Sequence, residues 1–296
     1  MQNEKLLLII NPVSGDGSAK NWVYDMLNIL SKRFKYVTTY ISRGVGDIKS
    51  AVAENAANYD AVVCAGGDGT LNETLDGVVC SGASPMLGYL PMGTVNDFAH
   101  SHGISKNIKT TLHSIVEGEA HEYDLGTLGN RVFSYVAAFG AFTEVSYQTP
   151  QDLKSALGRL AYVSEATRRL GELYPIHLDF ESGDIKESGD FIYGMITNSK
   201  TVGGIKFFNF KNPDFLSDGL IEVTLVRYPQ NAMELQEAVT GLLNPNHDCK
   251  EVVKLHVSSA ELKFNSPVPF TVDGEFGGKY TDVCAGVLPR RIRIIE

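Results

Sequence analysis

The chain has 296 residues, 43% hydrophobic and 21% charged, a balance that suits a soluble globular protein of two domains and excludes disorder or a collagen-like structure. Its 35 acidic residues outnumber 26 basic ones for a net charge of −9, which argues against a nucleic-acid binder that relies on a strongly basic overall field. Any anionic ligand must be met by a local site. Cys64, Cys80, Cys249 and Cys284 are scattered without a CxxC pair, and the seven histidines show no HxxH spacing, so neither a disulfide framework nor a zinc site is indicated.

The apolar run 6–10 is too short for a signal-peptide core or a membrane span, and no other segment approaches that length, which predicts a cytoplasmic chain without a transmembrane segment. Short apolar runs then alternate with segments of helical spacing, the pattern of parallel strands joined by crossover helices. Strands are expected at 5–10, 36–41, 61–65 and 86–90. Helices are expected at 19–33, 47–58, 71–79 and 108–117. From about residue 121 the period changes to two, with strands expected at 131–137, 176–180, 191–196, 221–226, 253–257 and 261–264 and turns at Gly129-Asn130 and Gly183-Asp184. This half reads as an antiparallel sheet domain or sandwich, interrupted by one helical insert at 151–170.

The strongest chemical signal is AVVCAGGDGTLNETLDGVV, where a buried strand runs into Gly66, Gly67, Asp68, Gly69 and Thr70 and then into a helix. Three glycines in four positions allow a sharp bend and close approach to a ligand, and the amides of the following helix start suit a phosphate. It is neither a Walker A loop nor a GxGxxG fingerprint. Asn11, Pro12, Val13, Ser14 and Gly15 end the first strand, and Gly93, Thr94, Val95, Asn96 and Asp97 end the fourth. In an open α/β sheet, ligands collect outside the carboxyl ends of the strands, so these three loops are expected to converge on one crevice.

Asp68, Asp97 and Asp124 are the acids expected near that crevice, and hard carboxylate oxygens of this kind suit Mg²⁺ accompanying a nucleotide. Near the C-terminus, Val272-Asp273-Gly274-Glu275 sets two carboxylates about a glycine. Either Asp273 or Glu275 is placed to accept the proton of an attacking hydroxyl, although an Asp-Gly pair is also a common hairpin turn.

Taken in order, NPVSG, GGDGTLNE, GTVNDFA, YDLG, SDGLIEV and VDGE resemble the soluble bacterial diacylglycerol kinases and related lipid kinases, over nearly the whole chain. The resemblance implies a Rossmann-like α/β ATP-binding domain at 1–122 plus 286–296, a β-sandwich lipid-acceptor domain at 123–285, and an active site in the cleft between them. The last strand, 291–295, would return to the first domain. It implies that ATP is held by Asn11, Pro12, Val13, Ser14, Gly15, Ser42, Gly66, Gly67, Asp68, Gly69, Thr70, Leu71, Asn72 and Thr94. Asp68, Asp97 and Asp124 would form an acidic, water-linked Mg²⁺ network, and Phe215, Asp218 and Leu220 a structural metal loop. Asp273 with Glu275 would supply the base and its support. His100 departs from the pattern, since an arginine commonly follows the NDFA element.

The expected activity is transfer of the ATP γ-phosphate to a lipid hydroxyl, diacylglycerol giving phosphatidic acid, at a membrane surface. The family suggests a homodimer. Leu153, Leu157, Leu160 and Leu170, with Lys154, Arg159, Arg168 and Arg169, give the 151–170 segment a face suited either to a bilayer or to packing on the β-domain. The competing enzymatic reading is an NAD kinase, which also carries GGDG with a following NE pair, but GTVND and VDGE match lipid kinases better. The non-enzymatic alternative is a nucleotide-binding regulatory protein, against which the retention of Asp273 and Glu275 argues.

Overall fold

The structure is a computed structural model that describes residues 5–15, 17, 19–141, 173–202, 206–208, 212 and 214–296. The helix expected over 151–170 lies outside the described residues. The chain divides into two compact units. The first comprises Met1–Leu125, Leu216–Asp218 and Leu288–Glu296, and the second Gly126–Phe215 and Gly219–Val287.

In the first unit, β1 (Lys5–Ile10), β2 (Tyr36–Ile41), β3 (Ala61–Gly66) and β4 (Met86–Pro91) form a parallel sheet in the order β2-β1-β3-β4. The far end of β13 (Glu275–Ile295) adds a parallel strand beside β4, with Arg293 opposite Met86 and Ile294 opposite Leu87. β3 and β4 are buried along their whole length, as the unbroken apolar runs require of strands covered on both faces. One face is covered by α1 (Ala19–Leu30) and α5 (Ile108–Glu117), whose Met26, Leu30, Leu112 and Ile115 meet Leu6, Leu8, Val63 and Leu90 in one cluster. Each such side chain contributes about 1.5–3 kcal/mol by leaving water. The helices α2 (Asp47–Asn55) and α3 (Asp68–Ser81) pack on each other. The short α4 (Asp97–Ser101) follows β4.

The order β2-β1-β3 sends the chain to opposite sides of β1, so a switch point opens at the carboxyl ends of β1 and β3, where an open α/β sheet receives ligands. Helix α3 starts three residues before its expected start, because Asp68, Gly69 and Thr70 form its first turn rather than a loop.

The second unit contains β6 (Arg131–Phe133), β7 (Val136–Gly140), β8 (Ile176–Ser182), β9 (Ile185–Thr197), β10 (Ile221–Arg227), β11 (Val252–Val257), β12 (Ser259–Val272) and the first part of β13. The strand β5 (Ala120–Leu128) leads into it. Neighbours pair antiparallel. β8 joins the first half of β9 to the first half of β12, while β7 joins their second halves, so pairing runs from β8 through β9, β7 and β12 back to β8. The enclosed core includes Phe139, Phe180, Phe191, Leu225, Leu262 and Phe270.

Three expectations need correction here, and one helix was not expected. The run 131–137 is two strands separated by Ser134 and Tyr135. β12 and β13 are far longer than the segments expected at 261–264 and 291–295. A helix α6 (Ala232–Leu243) packs on β10 and β11, with Asn231 accepting from the amides of Met233 and Glu234 at its start.

Candidate functional site

The three strand-end loops of the first unit meet through their main chains. A Cβ placed on Gly93 would lie 2.5 Å from the Cα of Gly67, and one on Gly67 would lie 3.3 Å from Ser14 Oγ, so the 11–15, 66–70 and 93–97 loops touch at glycines. A side chain at Gly93 would force them apart. Asn11 ties the first loop to α3, donating from Nδ2 to Thr70 Oγ1 at 2.9 Å. Its own Oδ1 accepts from the Val13 amide at 3.2 Å. The main chain adds Asn11 N–H to Ala65 O at 3.0 Å and Met92 N–H to Gly66 O at 2.8 Å. Ser42, placed just past β2, donates its amide to Ile10 O at 2.9 Å, which sets it beside the end of β1.

Gly67, at the N-cap of α3, has no side chain to cap the helix. The positive end of the α3 dipole and its first amides therefore face the convergence of the loops, an arrangement that favours an anion. At α4 the opposite holds: Asp68 accepts from the amides of Asp97 and Phe98 at 3.3 and 3.4 Å, so a carboxylate of one loop caps the helix of the next.

Asp97 and Asp124 are both buried. Asp124 accepts the amide of Arg290 at 2.7 Å, and that residue is held in a left-handed conformation at φ 49°. Among the described residues no group of three or more His, Cys, Asp or Glu side chains is gathered as a direct ligand set. The hard oxygens of Asp68, Asp97 and Asp124 nevertheless suit Mg²⁺, which retains waters and shares its shell with phosphates. Phe215–Ser217 form one 3₁₀ turn, followed by an exposed Asp218, a left-handed Gly219 and Leu220.

The sequence places Asn96 in the third loop but assigns it no role. It is buried and left-handed at φ 58°; its Oδ1 accepts from Tyr89 O–H and the Gly93 amide at 3.1 and 3.0 Å, and its Nδ2 donates to Gly93 O at 2.7 Å. Asn96 thus closes the loop that carries Thr94 and Asp97. An Asn three residues after a Gly, before a helix, was the available signal, because Asn tolerates the left-handed region and bonds its own backbone.

In the second unit Asp273 and Gly274 are the two residues of the β12–β13 hairpin, with Val272 opposite Glu275 and positive φ of 46° and 91° at the turn. Two positive-φ residues match a type I′ hairpin. Glu275 is exposed whereas Asp273 is buried. Asp273 Oδ2 accepts from Ser134 N–H at 2.6 Å and Ser134 Oγ–H at 2.8 Å, and Oδ1 accepts from the amides of Tyr135 and Val136, each at 3.0 Å. Burial pushes this carboxyl above the usual range, while the donated hydrogen bonds from Ser134, Val136 and Tyr135 pull it down.

Residues 5–128 match the family described as diacylglycerol kinase catalytic domain. A protein named diacylglycerol kinase from Staphylococcus saprophyticus is 32% identical over 277 residues, 92% of this chain and 89% of that one. One of the same name from Staphylococcus aureus is 33% identical over 276 residues, 92% and 86% of the two chains. The chain belongs to the diacylglycerol kinase family. It is therefore an enzyme, a lipid kinase. Its fold is that of a diacylglycerol kinase from Bacillus anthracis, with a TM-score of 0.77 at 18% identity over 100% of this chain and 97% of that one. A second structure from that organism gives 0.81 at 21%, over 100% and 96%. Family membership favours the lipid-kinase reading over an NAD kinase. No helix among the described residues of this kinase is long and apolar enough to cross a membrane.

Proposed function

We propose that this kinase transfers the γ-phosphoryl group of ATP to the free hydroxyl of diacylglycerol, giving phosphatidic acid and ADP. The observation that carries the reading is the convergence of three strand-end loops on an α3 start without a side-chain cap, a cradle of main-chain donors suited to a triphosphate. Asn11, Pro12, Val13, Ser14, Gly15, Gly66, Gly67, Asp68, Gly69, Thr70, Leu71, Asn72 and Thr94 hold ATP, and Ser42 offers it a further hydroxyl contact. The diacylglycerol acceptor is supported by the names of the relatives.

Phosphoryl transfer needs positioning and charge stabilisation more than covalent help. The alcohol oxygen forms a bond to the γ-phosphorus as the bond to the β,γ-bridging oxygen breaks, and ADP leaves with that electron pair. The hydroxyl proton passes to a carboxylate. We assign that role to Glu275, because it is exposed, whereas the oxygens of Asp273 already accept four hydrogen bonds and a carboxylate offers about four acceptor sites. Mg²⁺, held through water by Asp68, Asp97 and Asp124, would neutralise charge on the phosphates. Phe215, Asp218 and Leu220 would hold a second, structural ion.

Since the lipid resides in a bilayer, the enzyme would work at a membrane surface, approaching it from the cytoplasm. The test is to incubate purified protein with γ-labelled ATP, Mg²⁺ and a total lipid extract, then identify the labelled product. Labelled phosphatidic acid is expected, with none when divalent ions are chelated. Label in another lipid would replace the acceptor, and NADP formation without lipid labelling would replace the reading.

A further inference from the structure

The Asp273 carboxylate reaches 137 to 139 positions back along the chain to close a break between two strands. The strand is interrupted at Ser134 and Tyr135 and resumes at Val136, and the amides of these three buried residues need acceptors, since a buried amide without one is expensive. Asp273 takes all three and the Ser134 hydroxyl as well. The contact is reciprocal, since the Asp273 amide donates to Val136 O at 2.8 Å. The corner is held from its other side too: Tyr135 O accepts from the Thr197 hydroxyl and from the Asn198 amide at 3.3 Å. Two residues beyond Asp273, with only the left-handed Gly274 between, stands Glu275.

We propose that Asp273 is a positioning residue, a carboxylate clamp that locks the β12–β13 turn onto the 134–136 corner and so fixes where Glu275 presents its carboxylate. The inference rests on the assignment of Glu275 as proton acceptor. Its chemistry is selective. Both oxygens accept two bonds each, which an ionised carboxylate does and a carboxamide cannot, because the NH₂ of an Asn would confront amide hydrogens. Asp also tolerates the left-handed backbone that the first turn position demands. Ser134 is the second half of the device, since its hydroxyl and amide share one oxygen of Asp273.

The test compares Asp273→Asn, Ser134→Ala, Glu275→Gln and the two double variants with Glu275→Gln. Each is assayed with γ-labelled ATP on phosphatidylglycerol vesicles containing dioleoylglycerol, and hydrogen exchange is followed at the amides of residues 134–136. A clamp predicts that Asp273→Asn lowers kcat about tenfold to hundredfold, the scale of a misplaced catalytic group, with KM for ATP unchanged. The three amides lose their protection. In the Glu275→Gln background the same substitution costs little more, because the group it positions is gone. Ser134→Ala keeps the amide bonds and loses the hydroxyl; should Asp273→Asn fail to fold, it carries the test, with a fall in kcat of about threefold to tenfold that also vanishes beside Glu275→Gln.

Unchanged kcat in the folded variants would leave only a structural brace and overturn the proposal. Losses that multiply across Asp273 and Glu275 would overturn it as well, by giving Asp273 a catalytic share of its own. If the unaltered enzyme labels no lipid, the functional reading fails instead, and the exchange of the three amides still decides whether the clamp exists.

Discussion

At the start of α3 the chain leaves its helix amides without a side-chain cap, whereas at the 134–136 corner it fills three amides with a carboxylate of its own. Both places offer consecutive N–H groups to an anion. In the first unit the N-cap is a glycine with no side chain to bond those amides, which leaves the helix start open to the external anion of the proposed function. In the second the anion is permanent, and the turn it secures is held in one arrangement. The difference separates an open helix start from an anchoring device built of the same main-chain groups.

The comparison can be broken at several points. The largest effect is expected at Glu275→Gln, with kcat lower by about 10²–10⁴-fold for loss of a general base, KM for ATP unchanged and Tm little affected because the residue is exposed. A normal rate would remove Glu275 from the chemistry. Next comes Gly93→Ala, whose new methyl must push against the backbone of Gly67; a destabilisation of about 1–3 kcal/mol is expected, together with weaker binding of a non-hydrolysable ATP analogue in calorimetry. Retained affinity would mean that the loop contact is not the cradle.

Asp68→Ala uncaps α4 and should cost about 1 kcal/mol in urea unfolding in addition to any loss of activity. An unchanged midpoint would deny the cap. The smallest effect is expected at Asp47, which accepts from Tyr40 O–H and the Arg43 amide at 2.7 and 2.8 Å; these bonds, Tyr40 first, hold its carboxyl below the usual value. A lowered value in the folded state means that the stabilisation is present at neutral pH, above the ordinary carboxylate value, and fades as pH falls through the lower folded-state value. Asp47→Asn should therefore give a slightly lower Tm at pH 7 and none of that difference in strong acid; a pH-independent difference would contradict the assignment.

Much of the first unit was legible in the sequence, since β2 and α5 fall at the expected residues and the three loops meet as strand order required. Local apolar periodicity carries that information. The start of α3 was misread because three glycines in four positions signal a bend, yet Gly69 sits inside a helical first turn. The break at Ser134 was invisible for a different reason: its partner, Asp273, lies far away in the chain, and no local pattern reports a carboxylate arriving from there. α6 could have been found from Asn231 followed three residues later by Glu234, a capping signature that the structure uses in both directions, with Glu234 accepting the Gln230 amide at 2.7 Å. The sequence left open whether Asp273 or Glu275 is the base; only the structure shows that the first is buried and the second exposed.

Arg291, near the end of β13, donates to Ala83 O at 3.1 Å and to Val78 O and Val79 O at 3.5 Å, which places a guanidinium over the last turn of α3. A cation at that terminus steadies the helix whose opposite terminus faces the proposed triphosphate. The two ends of α3 are therefore wired to distant parts of the chain, Thr70 to Asn11 at its start and the last carbonyls to Arg291. Loss of Arg291 would remove that cation from the C-terminal end of α3, behind the loops that meet at its start.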